Sequence, residues 1–264
     1  EERPLCYCGF MDGIRKKLYQ KTISYINNLS VHSRYFILEN RTHYPVTKVR
    51  RDAMKIGFIG LGNMAGTICQ GLIKSDFIDG SEVYGYDINS QQLMMFEQDF
   101  GIHVCSSEQD VVKNCDYLVM GVKPNVVESV ISKIKSVIDQ QVIVSIVAGY
   151  GNDKYEELLP GTHHLTIMPN TPAKVLEGTT LFEKDNTLTA EELNYVQTMF
   201  ESIGEVYLIE NYQMVAGGAL SGCGPAFVYM FIEALADGAV LNGLPRDLAY
   251  KLASQTVLGS AKMV

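Results

Sequence analysis

The chain has 264 residues, of which 47% are hydrophobic and 20% charged, and its formal net charge is −8 at pH 7. These values are typical of an ordinary globular protein of one or two domains with a sizeable core. No run of 18 or more uninterrupted apolar residues occurs, which argues against a membrane span, and the acidity argues against nucleic acid as the main partner. The six cysteines are scattered, which favours a reducing, cytoplasmic setting over a disulfide framework.

Charge divides the chain at residue 53. Residues 1–53 carry ten basic and five acidic residues, a net charge of +5, whereas residues 54–264 have a net charge of −13. The first segment shows no helical or strand period, and Cys6 and Cys8 are not followed by a second Cys/His pair at zinc-like spacing. We interpret residues 1–53 as an N-terminal extension outside the main fold, with Met54 as the natural start. A transit peptide and a basic arm that binds a partner are the alternatives.

A glycine-rich turn opens the second part. The apolar run Lys55–Ile59 predicts a buried strand, and a helical stretch follows over Met64–Lys74. Between them lies Gly60-Leu61-Gly62-Asn63-Met64-Ala65, which matches G-x-G-x-x-G/A. In this pattern the first glycine permits a tight turn, the second lets the backbone approach a pyrophosphate, and the alanine lets the helix pack closely on the strand. The flanking strand and helix therefore predict a dinucleotide site.

An acidic residue ends the second predicted strand. Asp87 follows Glu82–Tyr86 and lies 22 residues beyond Ala65. A carboxylate at this point accepts hydrogen bonds from the adenosine ribose hydroxyls of NAD and repels a 2′-phosphate. No Lys or Arg occurs between Asp87 and Lys113 to offset the charge, so the sequence leans towards NADH. Capping of the next helix, Asn89–Phe100, is a second role compatible with Asp87.

Strands and helices alternate over the rest of residues 54–210. We predict strands at Asp116–Gly121, Val142–Val147, His163–Met168 and Glu205–Glu210, and helices at Val126–Ile138, Asn152–Leu159 and Ala190–Ser202. This order predicts an α/β fold with a doubly wound, Rossmann-type parallel sheet. Ligands of such sheets bind at the carboxyl ends of the strands, so Lys123, Ala148, Gly149 and Asn170 are expected to line one cleft.

The last segment, residues 211–264, reads as helical. Ala219–Pro225 is interpreted as a break, followed by a helix over Ala226–Leu241 that is apolar almost all round and by another over Arg246–Val264. These 54 residues can hardly enclose an all-round apolar helix alone, which predicts a homo-oligomer built through this all-α region. The helical pattern has no stop signal before Val264, so the region is expected to be incomplete.

Several motifs together resemble the pyrroline-5-carboxylate reductase family. They are Met54–Met64, Val122–Pro124, Ser145–Gly149, Met168–Pro172, Leu220–Ala226, Phe231–Asp237, Gly243–Arg246 and Gln255–Met263, in order across residues 54–264. The resemblance implies NAD(P)H-dependent reduction of 1-pyrroline-5-carboxylate to L-proline, the last step of proline biosynthesis, without a metal. The implied dinucleotide contacts are Gly60, Gly62, Asn63, Met64, Asp87, Val122, Lys123, Pro124, Ala148 and Gly149, with Asn170 and Thr171 at the nicotinamide end.

The chain departs from the family pattern at identifiable points. The family's Ser-Pro-Gly-Gly-Thr-Thr substrate segment would lie beyond Val264, so catalytic residues are not assigned and the chain as given is expected to lack this loop. Thr166 replaces a usual basic residue, and Val215 and Gly218 replace a usual Asp and Thr. Alternatives are another Rossmann imine or β-hydroxyacid reductase and an inactive dinucleotide-binding fragment. The β-hydroxyacid type carries a Lys in the first long helix after the dinucleotide domain, and Pro225–Leu241 contains none.

Overall fold

A computed structural model describes residues 54–264. The interpretation of residues 1–53 as a separate extension lies outside the described residues. The strands are β1 (Ile56–Ile59), β2 (Val83–Tyr86), β3 (His103–Val104), β4 (Tyr117–Met120), β5 (Val142–Ser145), β6 (His163–Met168), β7 (Gly178–Glu183) and β8 (Gly204–Ile209). The α-helices are α1 (Asn63–Lys74), α2 (Ser90–Phe100), α3 (Glu108–Lys113), α4 (Val127–Ile134), α5 (Asn152–Leu158), α6 (Ala190–Glu201), α7 (Met214–Leu241) and α8 (Arg246–Met263).

The strands form one sheet of eight in the order β3-β2-β1-β4-β5-β6-β7-β8. All neighbouring pairs are parallel except β6 and β7, which pair Ile167 with Phe182 in antiparallel register. The chain reverses direction along the sheet after β3, returning to β4 beside β1. Because β1, β2, β4, β5 and β6 run the same way, their carboxyl ends meet at one edge of the sheet.

Each sheet face is covered by its own hydrophobic cluster, because side chains alternate along a strand. Phe58, Val119 and Val144 point to the layer that contains α1, α2 and α6. Their neighbours Ile59, Leu118 and Ile143 point to the layer that contains α3, α4 and α5. These strands are buried along their whole length, as expected of a parallel sheet with helices on both faces. The predicted doubly wound α/β class is therefore confirmed.

Three elements of the fold were not predicted from the sequence. Strand β3 has only two residues, helix α3 has six, and β7 joins the sheet in the direction opposite to β6. The predicted helix Val126–Ile138 is a 3-10 turn, Pro124–Val126, followed by α4, which ends at Ile134. The two-residue β3 and the six-residue α3 are too short for a full helical or alternating period, so the pattern of apolar residues could not reveal them.

The predicted break at Ala219–Pro225 is wrong. Helix α7 runs without interruption through Pro225 and is 28 residues long. Few of its residues are buried, whereas α7 and α8 pack together through Ala236, Ala249 and Ala253. Proline lacks the N–H that an interior helical residue donates, so continuation through Pro225 requires another donor for the freed carbonyl group. That donor is described with the site below.

Candidate dinucleotide site

The turn after β1 is built by close backbone contacts. Gly60 has a φ of +88°, which L side chains rarely adopt, and its N–H donates to the Tyr86 carbonyl oxygen at 2.8 Å. A Cβ at Gly60 would lie 2.8 Å from the Gly121 carbonyl oxygen and 3.1 Å from Val122 Cγ1. A Cβ at Gly121 would in turn lie 2.6 Å from the Ala65 Cβ. Ala65 thus allows α1 to approach the neighbouring strand end, as the motif predicts.

Gly62 presents an open surface at the start of α1. It is exposed, and a Cβ built on it meets no heavy atom within 4 Å. No side chain caps the N-terminus of α1, and its first turn contains no acidic residue. The first N–H groups of a helix have no partner within the helix and lie at the positive end of its dipole. This turn therefore fits the pyrophosphate of a dinucleotide, with Asn63 and Met64 in the first turn.

Asp87 ties the end of β2 to the glycine turn. Its Oδ2 accepts from the Leu61 N–H at 2.7 Å and its Oδ1 accepts from the Asn89 N–H at 2.8 Å. The expected helix-capping role of Asp87 is wrong, because Asn89 caps α2 by accepting from the N–H groups of Gln91 and Gln92. The half-buried Asp87 carboxylate remains beside the turn, where a ribose would lie.

Gln92 was missed by the sequence analysis. Its Nε2 donates to the Leu61 carbonyl oxygen at 3.1 Å, while the Leu61 N–H donates to Asp87. Both polar groups of the Leu61 peptide backbone are therefore bonded to the segment that follows β2. Leu61 itself is fully buried. The only sequence signal for Gln92 is its place in the first turn of the helix after Asp87.

The ends of β4 and β5 supply the next part of the same edge. After β4, Val122 is half-buried, whereas Lys123 and Pro124 are exposed and begin a 3-10 turn. After β5, Ala148 and Gly149 are exposed, and Gly149 has a φ of +77°. The structure therefore brings these segments to the edge that carries the glycine turn, as their positions at strand ends predict.

Asn170 and Thr171, at the end of β6, differ in exposure. Thr171 is exposed. Asn170 is only 6% exposed, and its side-chain amide is bonded on both sides. Its Oδ1 accepts from the Thr179 N–H at 2.8 Å and its Nδ2 donates to the Ser221 carbonyl oxygen at 3.0 Å. The Asn170 side chain therefore joins β6 to β7 and α7.

A buried polar cluster supports the segment after β5. The Glu183 Oε2 accepts from the Asn152 N–H at 3.0 Å, and the Asn152 Oδ1 accepts from the Thr166 N–H at 2.9 Å. Thr166 Oγ1 donates to the Tyr150 carbonyl oxygen at 3.0 Å. Burial raises the pKa of Glu183, with the Asn152 hydrogen bond opposing the shift. Thr166, which departs from the family pattern, is thus bonded within this cluster.

Cysteine and histidine side chains outside the cleft have structural surroundings. Cys69 and Cys115 are buried, and burial raises the pKa of each thiol to about 12, as expected of small apolar core residues. His163 faces Glu192 with Nδ1 2.7 Å from the carboxylate, whereas His164 is buried on the opposite face. Within residues 54–264 no group of three or more His, Cys, Asp or Glu residues is arranged to hold a metal.

The fold and the cleft define a Rossmann-type dinucleotide-binding protein. Residues 55–149 match the family model "NADP oxidoreductase coenzyme F420-dependent", and residues 211–264 match the model "Pyrroline-5-carboxylate reductase dimerisation". The chain is 38% identical over 219 residues to pyrroline-5-carboxylate reductase of Pisum sativum, covering 83% of this chain and 80% of the relative. It is 39% identical over 212 residues to the Escherichia coli enzyme of the same name, covering 80% and 79%. The chain belongs to the pyrroline-5-carboxylate reductase family.

A solved structure agrees with this assignment. The crystal structure of the Plasmodium falciparum pyrroline carboxylate reductase with NADP bound matches with a TM-score of 0.73 and 33% identity, covering 80% of this chain and 78% of that one. Membership of the family confirms the predicted resemblance. It also decides against the alternative of a β-hydroxyacid-type reductase.

The dimerisation match falls on the helices that expose the most apolar surface. On α7, Phe227 is 67% exposed, Met230 66% and Leu220 79%. Among the described residues, one helical stretch, Asn211–Leu241, is long and apolar enough to cross a membrane by length and composition alone. These residues match a dimerisation model, which supports self-association that would bury the exposed apolar side chains of α7.

Proposed function

We propose that the protein reduces 1-pyrroline-5-carboxylate to L-proline with NAD(P)H, the last step of proline biosynthesis. The observation that carries the proposal is the identity of 36–39% to relatives with this name in plants and bacteria, over a chain whose cleft fits a dinucleotide. The proposal makes the protein an oxidoreductase that acts on a C=N bond and needs no metal.

The residues of the cleft would hold the cofactor in a defined orientation. Gly62 and the first turn of α1, with Asn63 and Met64, would bind the pyrophosphate through backbone N–H groups. Gly60 sets the turn that carries them, and Asp87 would accept from the adenosine ribose hydroxyls. When bound, the cofactor supplies a hydride from C4 of its nicotinamide to the imine carbon of the substrate.

The remaining strand ends would position the other half of the cofactor. Val122, Lys123 and Pro124 after β4 would contact it mainly by shape, and Ala148 and Gly149 after β5 would lie alongside. Thr171 is exposed at the end of β6, where the nicotinamide end is expected. These residues would hold the nicotinamide and the imine carbon of the substrate close together in the geometry needed for hydride transfer, which lowers the entropic cost of the reaction.

The surroundings of Asp87 favour NADH over NADPH. The carboxylate lies beside the glycine turn, and no Lys or Arg occurs from Ile88 to Val112 to pair with a 2′-phosphate. A 2′-phosphate placed beside Asp87 would be repelled by the negative charge of its half-buried carboxylate. The Plasmodium falciparum relative is described with NADP bound, so the choice of cofactor in this chain is a direct test of the role of Asp87.

Self-association through α7 and α8 is part of the proposal, as a homodimer or a larger homo-oligomer. Exposed Phe227, Tyr229, Met230 and Phe231 give α7 an apolar surface around a little more than one turn. The cysteines among residues 54–264 are free, which supports a reducing, cytoplasmic setting. The net charge of −8 supports a small molecule rather than nucleic acid as the partner.

The proposal is tested by following oxidation of NADH and of NADPH by the purified full-length protein with 1-pyrroline-5-carboxylate. We expect turnover with both cofactors and a higher kcat/KM with NADH. Binding of NADH without turnover of either cofactor is the result expected of an inactive dinucleotide-binding protein, and it would reject the proposed reaction. A higher kcat/KM with NADPH would reject the argument from Asp87 alone.

A further inference from the structure

Helix α7 contains a backbone carbonyl group that the helix itself cannot satisfy. The carbonyl of Ser221 would accept from the N–H of residue 225 in a regular α-helix. Residue 225 is proline, which has no N–H. The helix nevertheless continues for 16 residues beyond it, to Leu241. The Ser221 carbonyl therefore needs a donor from outside the helix.

Asn170 supplies that donor from the end of β6. Its Nδ2 lies 3.0 Å from the Ser221 carbonyl oxygen. The orientation of the amide is fixed at its other side, where Oδ1 accepts from the Thr179 N–H on β7 at 2.8 Å. With Asn170 only 6% exposed, water has little access to compete for these bonds. One side chain thus provides an acceptor to strand β7 and a donor to the proline-containing helix α7.

The helix and the sheet approach each other closely beside this bond. A Cβ at Gly218 would overlap the Met168 side chain, and a Cβ at Gly217 would lie 2.8 Å from Leu181 Cδ1. The two glycines therefore permit contact one turn before Ser221. The 3-10 turn that follows Asn170 also contacts α1, since a Cβ at Gly71 would lie 3.0 Å from the Ala173 carbonyl oxygen.

The structure assigns Asn170 the role of a positioning residue that acts through the Ser221 carbonyl left free by Pro225. The assignment rests on the proposed function, because Thr171, the neighbour of Asn170, lies where we place the nicotinamide end. By bonding to α7 rather than to the cofactor, the Asn170 side chain fixes the Leu220–Ala226 segment against that end of the cleft. A small displacement of reacting groups costs a large factor in rate.

The test is a double-mutant cycle on the whole chain with Asn170→Ala, Pro225→Ala and both together. The Pro225→Ala substitution gives the Ser221 carbonyl an N–H within the helix, so it replaces the donor that Asn170→Ala removes. We expect Asn170→Ala alone to lower the Tm by about 2–12 °C, as for loss of buried hydrogen-bond partners. In the Pro225→Ala background the same substitution is expected to lower the Tm less, because the Ser221 carbonyl then has a donor and only the acceptor for the Thr179 N–H is lost.

Binding and turnover separate positioning from direct contact with the cofactor. We expect Asn170→Ala to lower kcat by roughly 10–100-fold, the cost of misplaced reacting groups, with the Kd for NADH close to that of the wild type. Asn170→Asp keeps the acceptor for the Thr179 N–H and replaces the donor to Ser221 by a carboxylate oxygen, which repels the carbonyl oxygen. It provides the same cycle if Asn170→Ala does not fold.

A matched control is Asn242→Ala, which also removes a side-chain amide that donates to a backbone carbonyl, that of Gly238 at 2.7 Å. We expect its effect on the Tm to add to that of Pro225→Ala without coupling. Equal losses for Asn170→Ala in both backgrounds would overturn the proposal, as would a rise in the Kd for NADH that matches the fall in kcat. A wild-type full-length protein without turnover would reject the proposed reaction, whereas the Tm cycle would still decide on the link between Asn170 and Ser221.

Discussion

Replacing Gly62 with alanine should weaken cofactor binding with little change in stability. Gly62 has a φ of −64° and a ψ of −171°, an extended conformation open to alanine, and a Cβ there meets no heavy atom within 4 Å. A Gly→Ala change at an open, extended site stabilises by about 0.4–1 kcal/mol, because it restricts the unfolded chain. Gly62 is also the N-cap of α1, where glycine is preferred to alanine, so the two effects oppose each other and the Tm should change by less than about 4 °C.

The effect of the same methyl group on cofactor binding is larger. The open space over Gly62 is where we place the pyrophosphate, against the free N–H groups of α1. A hydrogen bond to a charged group contributes about 1.5–3 kcal/mol, so the loss of one such bond raises the Kd by roughly 10–100-fold. The assay is fluorescence titration with NADH and NADPH, together with thermal unfolding of the free protein.

Gly60→Ala is the matched control in the same turn. With a φ of +88° and the Gly121 carbonyl oxygen 2.8 Å from its Cβ position, it should lower the Tm as well as weaken binding. Wild-type affinity of Gly62→Ala for both cofactors would refute the placement of the pyrophosphate. A fall in Tm as large as that of Gly60→Ala would refute the argument from open space at Gly62.

Three further predictions concern charge, pH and assembly. Asp87→Asn removes the charge and one of two acceptors, so the ratio of kcat/KM for NADPH to that for NADH should rise about tenfold, whereas Asp79→Asn, before β2, should leave that ratio unchanged. Burial raises the pKa of Glu183 above its ordinary value of 4.5. At pH values around and above 4.5 the native state therefore binds more protons than the unfolded chain, and its stability falls as the pH rises. The Tm of Glu183→Gln relative to the wild type should therefore rise from pH 4 to pH 7, and a difference independent of pH would contradict this. Phe227→Glu and Met230→Glu place charge on exposed apolar positions of α7 and should shift sedimentation towards a smaller species; unchanged sedimentation would exclude this face from the interface.

The parallel core of the sheet could be predicted because its signal is local and strong. The strands β1, β4 and β5 are continuous apolar runs between turn residues, and each is buried along its length. The reversal at β7 had no such signal. Its direction depends on the pairing of Ile167 with Phe182, a contact between segments whose apolar pattern is the same for either direction of the strand.

The cleft could be predicted to the level of backbone position. The glycine turn, Asp87 and the strand ends lie at one edge, because parallel strands place their carboxyl ends together. The bonds that hold them could not be read from the pattern. The donation from Gln92 Nε2 to the Leu61 carbonyl oxygen at 3.1 Å depends on a helix orientation that arises only after packing.

Helix α7 shows why a local rule can fail while remaining physically correct. Proline removes an N–H wherever it occurs, so a break at Ala219–Pro225 was a sound expectation. The break does not occur because the Ser221 carbonyl receives its hydrogen bond from Asn170, 51 residues earlier in the chain. The cost of Pro225 is thus offset only in the folded state, by a side chain at the end of β6. The bond from Asn170 thus couples the helical region to the edge of the sheet that carries the glycine turn.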